Sequence, residues 1–329
     1  MKNILQEMKY KLKYIVVFSI LIFIISFISC NKDNNNPNVS DLIYSGDFQP
    51  NSLEKLKYFY EFCYNIVDGQ IYINNIDSLQ HLDYLSNVKL VTGNLFIGAN
   101  PNLTEINGIK DIDIKGSITI AEENLEHMID FYNVTSIDGD IYFNCPKILE
   151  LNVFNNLTNV TDITIRRCFN LEILNGFNSI KDCEYIEIST NYSIKKINAF
   201  SSLTHLKGLY IVGNNELELI NGFSSITEIQ DVLQLRSLDV EDFNFLNNLK
   251  KVNSLGIEKC QNIIHLNNFE GVVDVGFDLL PPSIAIKDNE KLANFCGLKP
   301  CLINNTELEL VTGGNAYNPN REQVIIDCP

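Results

Sequence analysis

A unit of about 23 residues repeats through most of this chain of 329 residues. Each unit contains two apolar residues separated by one other residue, and the pairs recur at nearly constant spacing. The pairs are Ile71/Ile73, Leu95/Ile97, Ile118/Ile120, Ile141/Phe143, Ile163/Ile165, Ile186/Ile188, Leu209/Ile211, Leu233/Leu235, Leu255/Ile257 and Ile284/Ile286. A fixed period of this length predicts a solenoid, in which each unit buries its apolar face only against its neighbours.

The unit that begins at Gly93 shows the parts of one coil. Residues 93–97 alternate polar and apolar positions, which is typical of a strand. A polar or small residue follows three positions after the strand, where the chain is predicted to turn inward. A buried Asn there can satisfy backbone groups that the turn frees, and Cys can fill the same volume. This inward position is occupied by Asn100, Cys168, Asn191, Asn214, Cys260 and Asn289.

Asn-Gly pairs begin at Asn107, Asn175 and Asn221, each after a Leu-x-x-Leu/Ile segment. They predict tight turns that tolerate positive φ. The stretch from Cys63, Cys-Tyr-Asn-Ile-Val-Asp-Gly-Gln-Ile-Tyr-Ile, followed by spaced leucines and Val-Thr-Gly-Asn-Leu-Phe-Ile at 91–97, resembles the opening of the receptor L domain. The Asn-x-x-Leu-x-x-Leu segments resemble leucine-rich repeats more broadly.

The resemblance covers residues 63–300 and implies extracellular binding of a protein or glycan through a sheet face, without catalysis. The L domain is shorter, and its paired cysteines are not reproduced in full here. The predicted fold is a β-rich solenoid of about 10–11 right-handed parallel coils with terminal caps. The alternative is the right-handed β-helix of polysaccharide lyases, whose coils have similar length and also carry Asn ladders. The repeated Leu-x-x-Leu/Ile-Asn-Gly-Phe segment favours the L-domain-like solenoid.

The first 29 residues form a basic start followed by a short apolar run, which predicts a secretory signal peptide. Ser29-Cys30 after two apolar residues resembles the lipobox of bacterial lipoproteins, in which the cysteine carries lipid, although Phe27 stands where Leu is commoner. Residues 30–50 are predicted to hold the lipidated Cys30 and an Asn-rich flexible tether. The remaining domains are an N-terminal cap at 51–68 with a short amphipathic helix within 51–65, the solenoid at 69–300, and a C-terminal strand and cap at 301–329.

The residue between the two buried residues of each strand points away from the core. We expect these residues to form one outward column. Its members are Tyr72, Phe96, Thr119, Tyr142, Thr164, Glu187, Tyr210, Gln234, Gly256 and Ala285. A second outward column runs from Asn74 to Lys287 and includes Arg166. Tyrosine and arginine are enriched at binding hot spots, so the predicted partner-binding residues are Tyr72, Phe96, Tyr142, Arg166, Glu187 and Tyr210.

Catalysis has one candidate arrangement in the sequence. Asp140 and Asp162 precede the first buried residue in adjacent coils, and two carboxylates can serve glycoside hydrolysis. The solenoid offers a sheet rather than a cleft, so they are interpreted as solvated charges. No nucleophile elbow, phosphate loop or metal-ligand spacing is present, and neither a catalytic residue nor a cofactor is predicted. With 25 basic and 41 acidic residues, the chain repels nucleic acid.

Nine cysteines are present. Export permits disulfides, and one bridge involving Cys328 is expected among Cys296, Cys301 and Cys328. Cys145 and Cys183 are interpreted as small core residues. Leu308 and Leu310 are expected to form a further strand, equivalent to Ile284 and Ile286.

These observations predict a non-catalytic, lipid-anchored protein of the outer membrane or cell surface, of Gram-negative type. It is expected to bind an extracellular protein or glycan and to contact the membrane only through its lipid. The alternatives are a polysaccharide-acting β-helix lyase or hydrolase, and a structural spacer without a ligand.

Overall fold

The computed structural model describes residues 41–109, 111–129, 131–276 and 283–329. It confirms a parallel β-solenoid of about 11 turns of about 23 residues. The signal peptide, Cys30 and most of the predicted tether lie outside the described residues. None of the helices in the described ranges is long and apolar enough to span a membrane.

Short strands and a few helical turns make up each coil. The strands are β1 (Ile43–Ser45), β2 (Ile66–Asp68), β3 (Ile71–Asn74), β4 (Leu90–Val91), β5 (Leu95–Gly98), β6 (Glu105–Ile106), β7 (Asp113–Ile114), β8 (Ile118–Ala121), β9 (His127–Met128), β10 (Ile141–Phe143), β11 (Glu150–Val153), β12 (Asp162–Arg166), β13 (Ile173–Gly176), β14 (Asp182–Ser189), β15 (Lys196–Ala199), β16 (His205–Asn214), β17 (Leu219–Ile220), β18 (Glu228–Leu238), β19 (Lys251–Glu258), β20 (Asp274–Val275), β21 (Ser283–Lys287) and β22 (Glu309–Gly313). The helices are α1 (Leu53–Glu61), α2 (Lys299–Asn304) and α3 (Arg321–Asp327), with 3-10 turns at Asp83–Leu85, Asn244–Leu246, Asn267–Phe269 and Cys296–Leu298.

The strands stack into parallel sheets on different sides of the coils. The first sheet has the order β22-β21-β19-β18-β16-β14-β12-β10-β8-β5-β3, with β20 beside β19. The second sheet is β1-β2-β4-β7, and the third is β11-β13-β15-β17. In the first sheet all ten predicted apolar pairs stack in register, for example Ile163 on Ile186. These residues are buried, so the apolar repeat forms one continuous core.

The inward polar residues form a buried hydrogen-bonded ladder. Asn191 Oδ1 accepts a bond from the backbone N–H of Cys168 at 2.9 Å, and its Nδ2 donates to the carbonyl of Ile165 at 3.0 Å. Asn214 repeats both contacts one coil later, with the N–H of Asn191 at 3.0 Å and the carbonyl of Ile188 at 2.8 Å. Each side chain therefore satisfies two backbone groups of the preceding coil, as buried backbone groups require.

The ladder is longer than the sequence suggested, and it contains one ionisable residue. Its buried members are Asn100, Glu122, Cys145, Cys168, Asn191, Asn214, Cys260, Asn289 and Asn315. Glu122 is 1 % exposed; its Oε2 accepts the Asn100 N–H at 2.9 Å and its Oε1 accepts Asn100 Nδ2 at 2.6 Å. Burial raises the pKa of Glu122 to about 7, the bonds from Asn100 lower it, and the neighbouring Glu123 raises it. Cys183 is also buried, but it lies near the start of β14 and is not part of this ladder.

A left-handed backbone turn aims most of these side chains inward. The residue before the ladder position has positive φ in most coils, as at Ala99 (55°) and Thr190 (59°). The Asn-Gly turns follow the prediction only in part. Gly108 and Gly176 have positive φ, but Gly222 does not. Glycine is required at position 222 because the backbone of the preceding coil packs closely against it. A Cβ there would lie 1.9 Å from the carbonyl oxygen of Ala199.

A stack of phenylalanine rings fills the opposite side of the core. Phe131, Phe154, Phe177, Phe200 and Phe223 are fully buried, with ring centroids of neighbours 5.1 to 5.5 Å apart. All five have positive φ. Offset-stacked rings contribute beyond their buried area, so this stack compensates for the backbone strain of five left-handed residues.

Both ends of the solenoid are covered. Helix α1, within the predicted 51–65 segment, buries Leu56 and Phe59 against the first coil. At the other end the Cys296–Cys328 disulfide joins the last coil to the chain terminus, and Cys301 is a buried free thiol.

The predicted strand at Leu308 and Leu310 is present as β22, but the predicted register was wrong by two residues. Leu310 pairs with Ile284, and Thr312 pairs with Ile286. Helix α2 lies between β21 and β22, so the spacing of this last coil departs from the repeat.

Candidate functional site

The outer face of the first sheet carries the predicted binding residues. The register places the ten predicted residues in one column, for example Tyr72 beside Phe96, Thr164 beside Glu187, and Glu187 beside Tyr210. We call this the central column. None of its members is fully exposed, because each side chain lies against its neighbours on the sheet. Successive strands are about 4.8 Å apart, so the column presents a regular row of side chains.

The aromatic residues of the central column do not form one continuous stack. Tyr72 and Phe96 stack with ring centroids 4.3 Å apart. The Phe96 ring lies against Gly98, where a Cβ would be only 2.8 Å from Cζ. Tyr142 stands alone between Thr119 and Thr164 in the neighbouring strands. The column therefore offers separate aromatic contact points rather than a single apolar stripe.

A second aromatic centre lies farther along the sheet, around Tyr210. Tyr185 precedes the central column in β14, and its hydroxyl donates to Asp231 Oδ2 at 3.2 Å, two coils away. Its side chain crosses Gly208, where a Cβ would lie 2.6 Å from the ring and 3.4 Å from the ring of Tyr210. The absence of a side chain at Gly208 allows this crossing. We call Tyr185, Glu187, Tyr210 and Asp231 the tyrosine–carboxylate cluster.

An irregularity in the sheet brings Asp231 into this cluster. The pairing of β18 with its neighbour β16 shifts between Leu206/Ile229 and Gly208/Val232, which leaves an extra residue in β18. Bulges of this kind redirect a side chain locally.

Burial affects the tyrosine hydroxyls in the cluster. Desolvation raises the pKa of Tyr210, and the charges of Asp231, Tyr185 and Glu187 act in the same direction. The pKa of Tyr185 is raised by desolvation and by its bond to Asp231. Both hydroxyls therefore remain protonated at neutral pH. Tyr185 donates its proton to Asp231, and the Tyr210 hydroxyl can donate a hydrogen bond to a partner.

The two margins of this face carry different charges. Asp140, Asp162 and Asp231 lie on the margin before the central column, whereas Arg166, Arg236 and Lys287 lie on the margin after it. Arg236 pairs with Glu258 at 3.5 Å, and Arg166 Nε is buried without a hydrogen-bond partner in the described structure. Glu187 accepts a bond from the hydroxyl of Ser189. The margin before the column therefore carries carboxylates, whereas the margin after it carries cations together with the carboxylate of Glu258.

Asp162 and Asp140 both contact a neighbouring coil, Asp162 through its carboxylate and Asp140 through its backbone N–H. Asp162 Oδ1 accepts the backbone N–H of Tyr185 at 3.0 Å, and the backbone N–H of Asp140 donates to Ser117 Oγ at 3.0 Å. Desolvation raises the pKa of Asp162, and the charge of Asp140 adds to this shift. These hydrogen bonds connect neighbouring coils along the margin of the sheet.

A hollow of about 340 Å³ at the start of β14 and β16 contains a His–Asp pair. His205 Nδ1 lies 2.7 Å from Asp182 Oδ1, and both side chains are exposed. Cys183 also lines the hollow, but it is inward-facing and burial raises the pKa of its thiol to about 12. A thiol held in this form is a poor nucleophile.

A larger hollow of about 520 Å³ lies at the end of the third sheet and is lined by Glu218, Asp239, Glu241 and Asp242. Among the described residues, no group of three or more His, Cys, Asp or Glu side chains is arranged to hold a metal ion. Beside this hollow the outer amides of Asn175, Asn198 and Asn221 form a hydrogen-bonded ladder.

Sequence reasoning missed Tyr185 and Asp231. Tyr185 occupies the same position in its coil as Asp140 and Asp162 do in theirs, so the repeat itself contained the signal for it. Asp231 lies at a bulge, which the period of the repeat does not reveal.

Two of three comparisons with known proteins found no match. No protein-family model matches the chain, and no curated protein matches it. Among solved structures, the chain is similar to a leucine-rich repeat protein from Bacteroides ovatus ATCC 8483, with 15% identity over 74% of this chain and 78% of that one. The TM-score of this match is 0.18.

Proposed function

We propose that this chain is a non-catalytic lipoprotein of the outer membrane or cell surface, and that the outer face of its first sheet binds an extracellular protein or glycan. Cys30 is the proposed lipidation site. The observation that carries the binding proposal is the tyrosine–carboxylate cluster, with the Tyr72–Phe96 pair at the other end of the same column.

The residue chemistry of this face supports binding rather than catalysis. Half-buried aromatic side chains bury much area at low conformational cost when a partner docks. Carboxylate acceptors on one margin and Arg166 on the other can orient the polar groups of that partner. The Asp162 carboxylate accepts a backbone hydrogen bond from the next coil, which gives it a structural explanation, whereas Asp140 contacts the neighbouring coil through its backbone N–H.

Replacement of Tyr72, Tyr142 and Tyr210 by Ala tests this proposal. A partner is first identified with a glycan array and by pull-down from extracellular material, and its Kd is then measured for both proteins. Loss of aromatic hot spots should weaken binding by about 30-fold or more, since each hot spot costs about 2 kcal/mol or more.

The matched control replaces Asn152, Asn175 and Asn198, on the outer face of the third sheet, by Ala. This variant should bind like the unmodified protein. Equal binding by the tyrosine variant, with an unchanged circular dichroism spectrum, would refute the sheet-face proposal. Release of reducing sugar from the bound glycan would instead support the β-helix lyase or hydrolase alternative.

A further inference from the structure

Large apolar side chains remain exposed at the N-terminal end of the solenoid. Leu42, Ile43, Tyr58 and Phe62 are 42%, 52%, 58% and 40% exposed. We call these four residues the cap patch. Leu42 and Ile43 lie at the start of β1, and Tyr58 and Phe62 lie at the C-terminal end of helix α1, which packs on the first coil. A concentration of exposed apolar residues at one end of a monomer marks an interaction surface.

Aromatic contacts join the two halves of the cap patch into one surface. The rings of Tyr58 and Phe62 are 4.2 Å apart, and Phe62 stacks near Tyr64 at 6.1 Å. Tyr64 in turn contacts Tyr44 at 5.4 Å, and Tyr44 follows Ile43 directly in β1. These contacts hold the exposed side chains on a rigid support rather than on a loose chain end.

The ten residues between Cys30 and the cap patch are mostly polar. Residues 31–40 read Asn-Lys-Asp-Asn-Asn-Asn-Pro-Asn-Val-Ser, in which Val39 is the one aliphatic residue with a branched side chain. This segment separates Cys30 from the first described residue, Asp41, which is adjacent to the patch. Ten residues reach at most about 35 Å when fully extended.

We infer that the cap patch rests against the lipid surface to which Cys30 is attached. This inference rests on the proposed lipidation of Cys30. A lipid at Cys30 keeps the end of the chain in the membrane, and a short polar segment then holds the cap patch close to the headgroups. Tyrosine is enriched at membrane interfaces because its ring is apolar and its hydroxyl remains hydrated.

The charges around the patch fit shallow contact rather than insertion. Helix α1 exposes Lys55 and Lys57, but Glu54 and Glu61 lie on the same helix. Charged groups on both sides of the apolar residues remain in the headgroup region while Tyr58 and Phe62 reach the acyl boundary. The first-sheet face is then carried on the coils that extend away from this end.

The chain contains no tryptophan, so one introduced tryptophan reports on a single position. The experiment uses the exported, lipid-attached protein with the substitution Tyr58→Trp. The protein is placed in vesicles of phosphatidylethanolamine and phosphatidylglycerol. These vesicles also contain lipids brominated near the headgroup end of the acyl chain, which quench tryptophan fluorescence on contact. The matched control is Tyr192→Trp, since Tyr192 is 49% exposed on a coil in the middle of the solenoid. We expect at least about twofold quenching at position 58 and almost none at position 192.

Vesicle flotation and peptide mapping separate the two ways in which the inference can fail. If the protein floats with vesicles but position 58 is not quenched, the membrane contact is refuted and the anchor stands.

Cys63, next to Phe62, is disulfide-bonded. A peptide map could show Cys30 bonded to Cys63 or present as a free thiol. Either result would mean that Cys30 carries no lipid, and it would refute both the lipid anchor and the membrane contact of the cap patch. Blue-shifted, concentration-dependent emission at position 58 without vesicles would show a second protein copy on the patch and would also overturn the inference.

Discussion

Asn191→Ala should destabilise the protein by about 3–5 kcal/mol. The substitution leaves the N–H of Cys168 and the carbonyl of Ile165 buried without partners, and each such group costs about 1–3 kcal/mol. The small cavity left by the amide adds to this cost. Urea unfolding followed by circular dichroism measures the change. Because coils of a solenoid contact only their neighbours, the variant is expected to unfold in a broader transition.

The matched control is Asn198→Ala in the same coil. Asn198 also makes two side-chain hydrogen bonds, to Asn175 and Asn221, but on the outer surface where water can replace them. We expect less than about 1 kcal/mol of destabilisation. Similar costs for the two variants would contradict the view that the inner ladder stabilises the turns by satisfying buried backbone groups.

Between pH 4.5 and pH 8, Glu122→Gln should gain about 3 kcal/mol of stability relative to the unmodified protein. The folded-state pKa of Glu122 is about 7, above its ordinary value of 4.5, so the folded chain holds this proton more tightly than the unfolded chain. Stability is therefore lost as pH rises from about 4.5 through 7, by about 3 kcal/mol in total for a shift of this size. Glutamine cannot ionise and keeps one acceptor for the Asn100 N–H. Its amide nitrogen cannot accept the second bond, from Asn100 Nδ2, and this loss lowers stability equally at every pH.

Unfolding free energies of both proteins at several pH values between 4.5 and 8 measure this effect. The difference between them should grow with pH and level off above pH 7. Glu123→Gln serves as the control, because it changes the neighbouring charge but leaves the buried carboxyl in place. A constant difference between Glu122→Gln and the unmodified protein across the pH range would show that Glu122 does not hold its proton in the folded state.

The repeat predicted the fold well because one physical rule applies in every coil. Two inward apolar residues per strand can stack only in one register without exposing one of them, so Ile163 pairs with Ile186 as expected. The rule fails where a coil departs from the repeat. Helix α2 before β22 shifted the predicted pairing of Leu308 and Leu310 by two residues.

The buried carboxyl was not predictable from residue type. Glutamate is almost never fully buried without a partner, and Glu122 was therefore absent from the inward positions inferred from the sequence. Its place becomes evident only when the ladder is followed coil by coil from Asn100 to Cys145. The contact between Tyr185 and Asp231 similarly joins residues 46 positions apart through a bulge.

Hydroxyl-radical footprinting of the complex tests the central claim, that the outer face of the first sheet is the binding surface. The unmodified protein is labelled alone and with the partner found by the array or pull-down, and oxidation is measured for each tyrosine by mass spectrometry. We predict protection of Tyr72, Tyr142, Tyr185 and Tyr210, with unchanged oxidation of Tyr132 and Tyr317 away from this face. Protection of Tyr132 or Tyr317, with the four sheet-face tyrosines unchanged, would contradict the account.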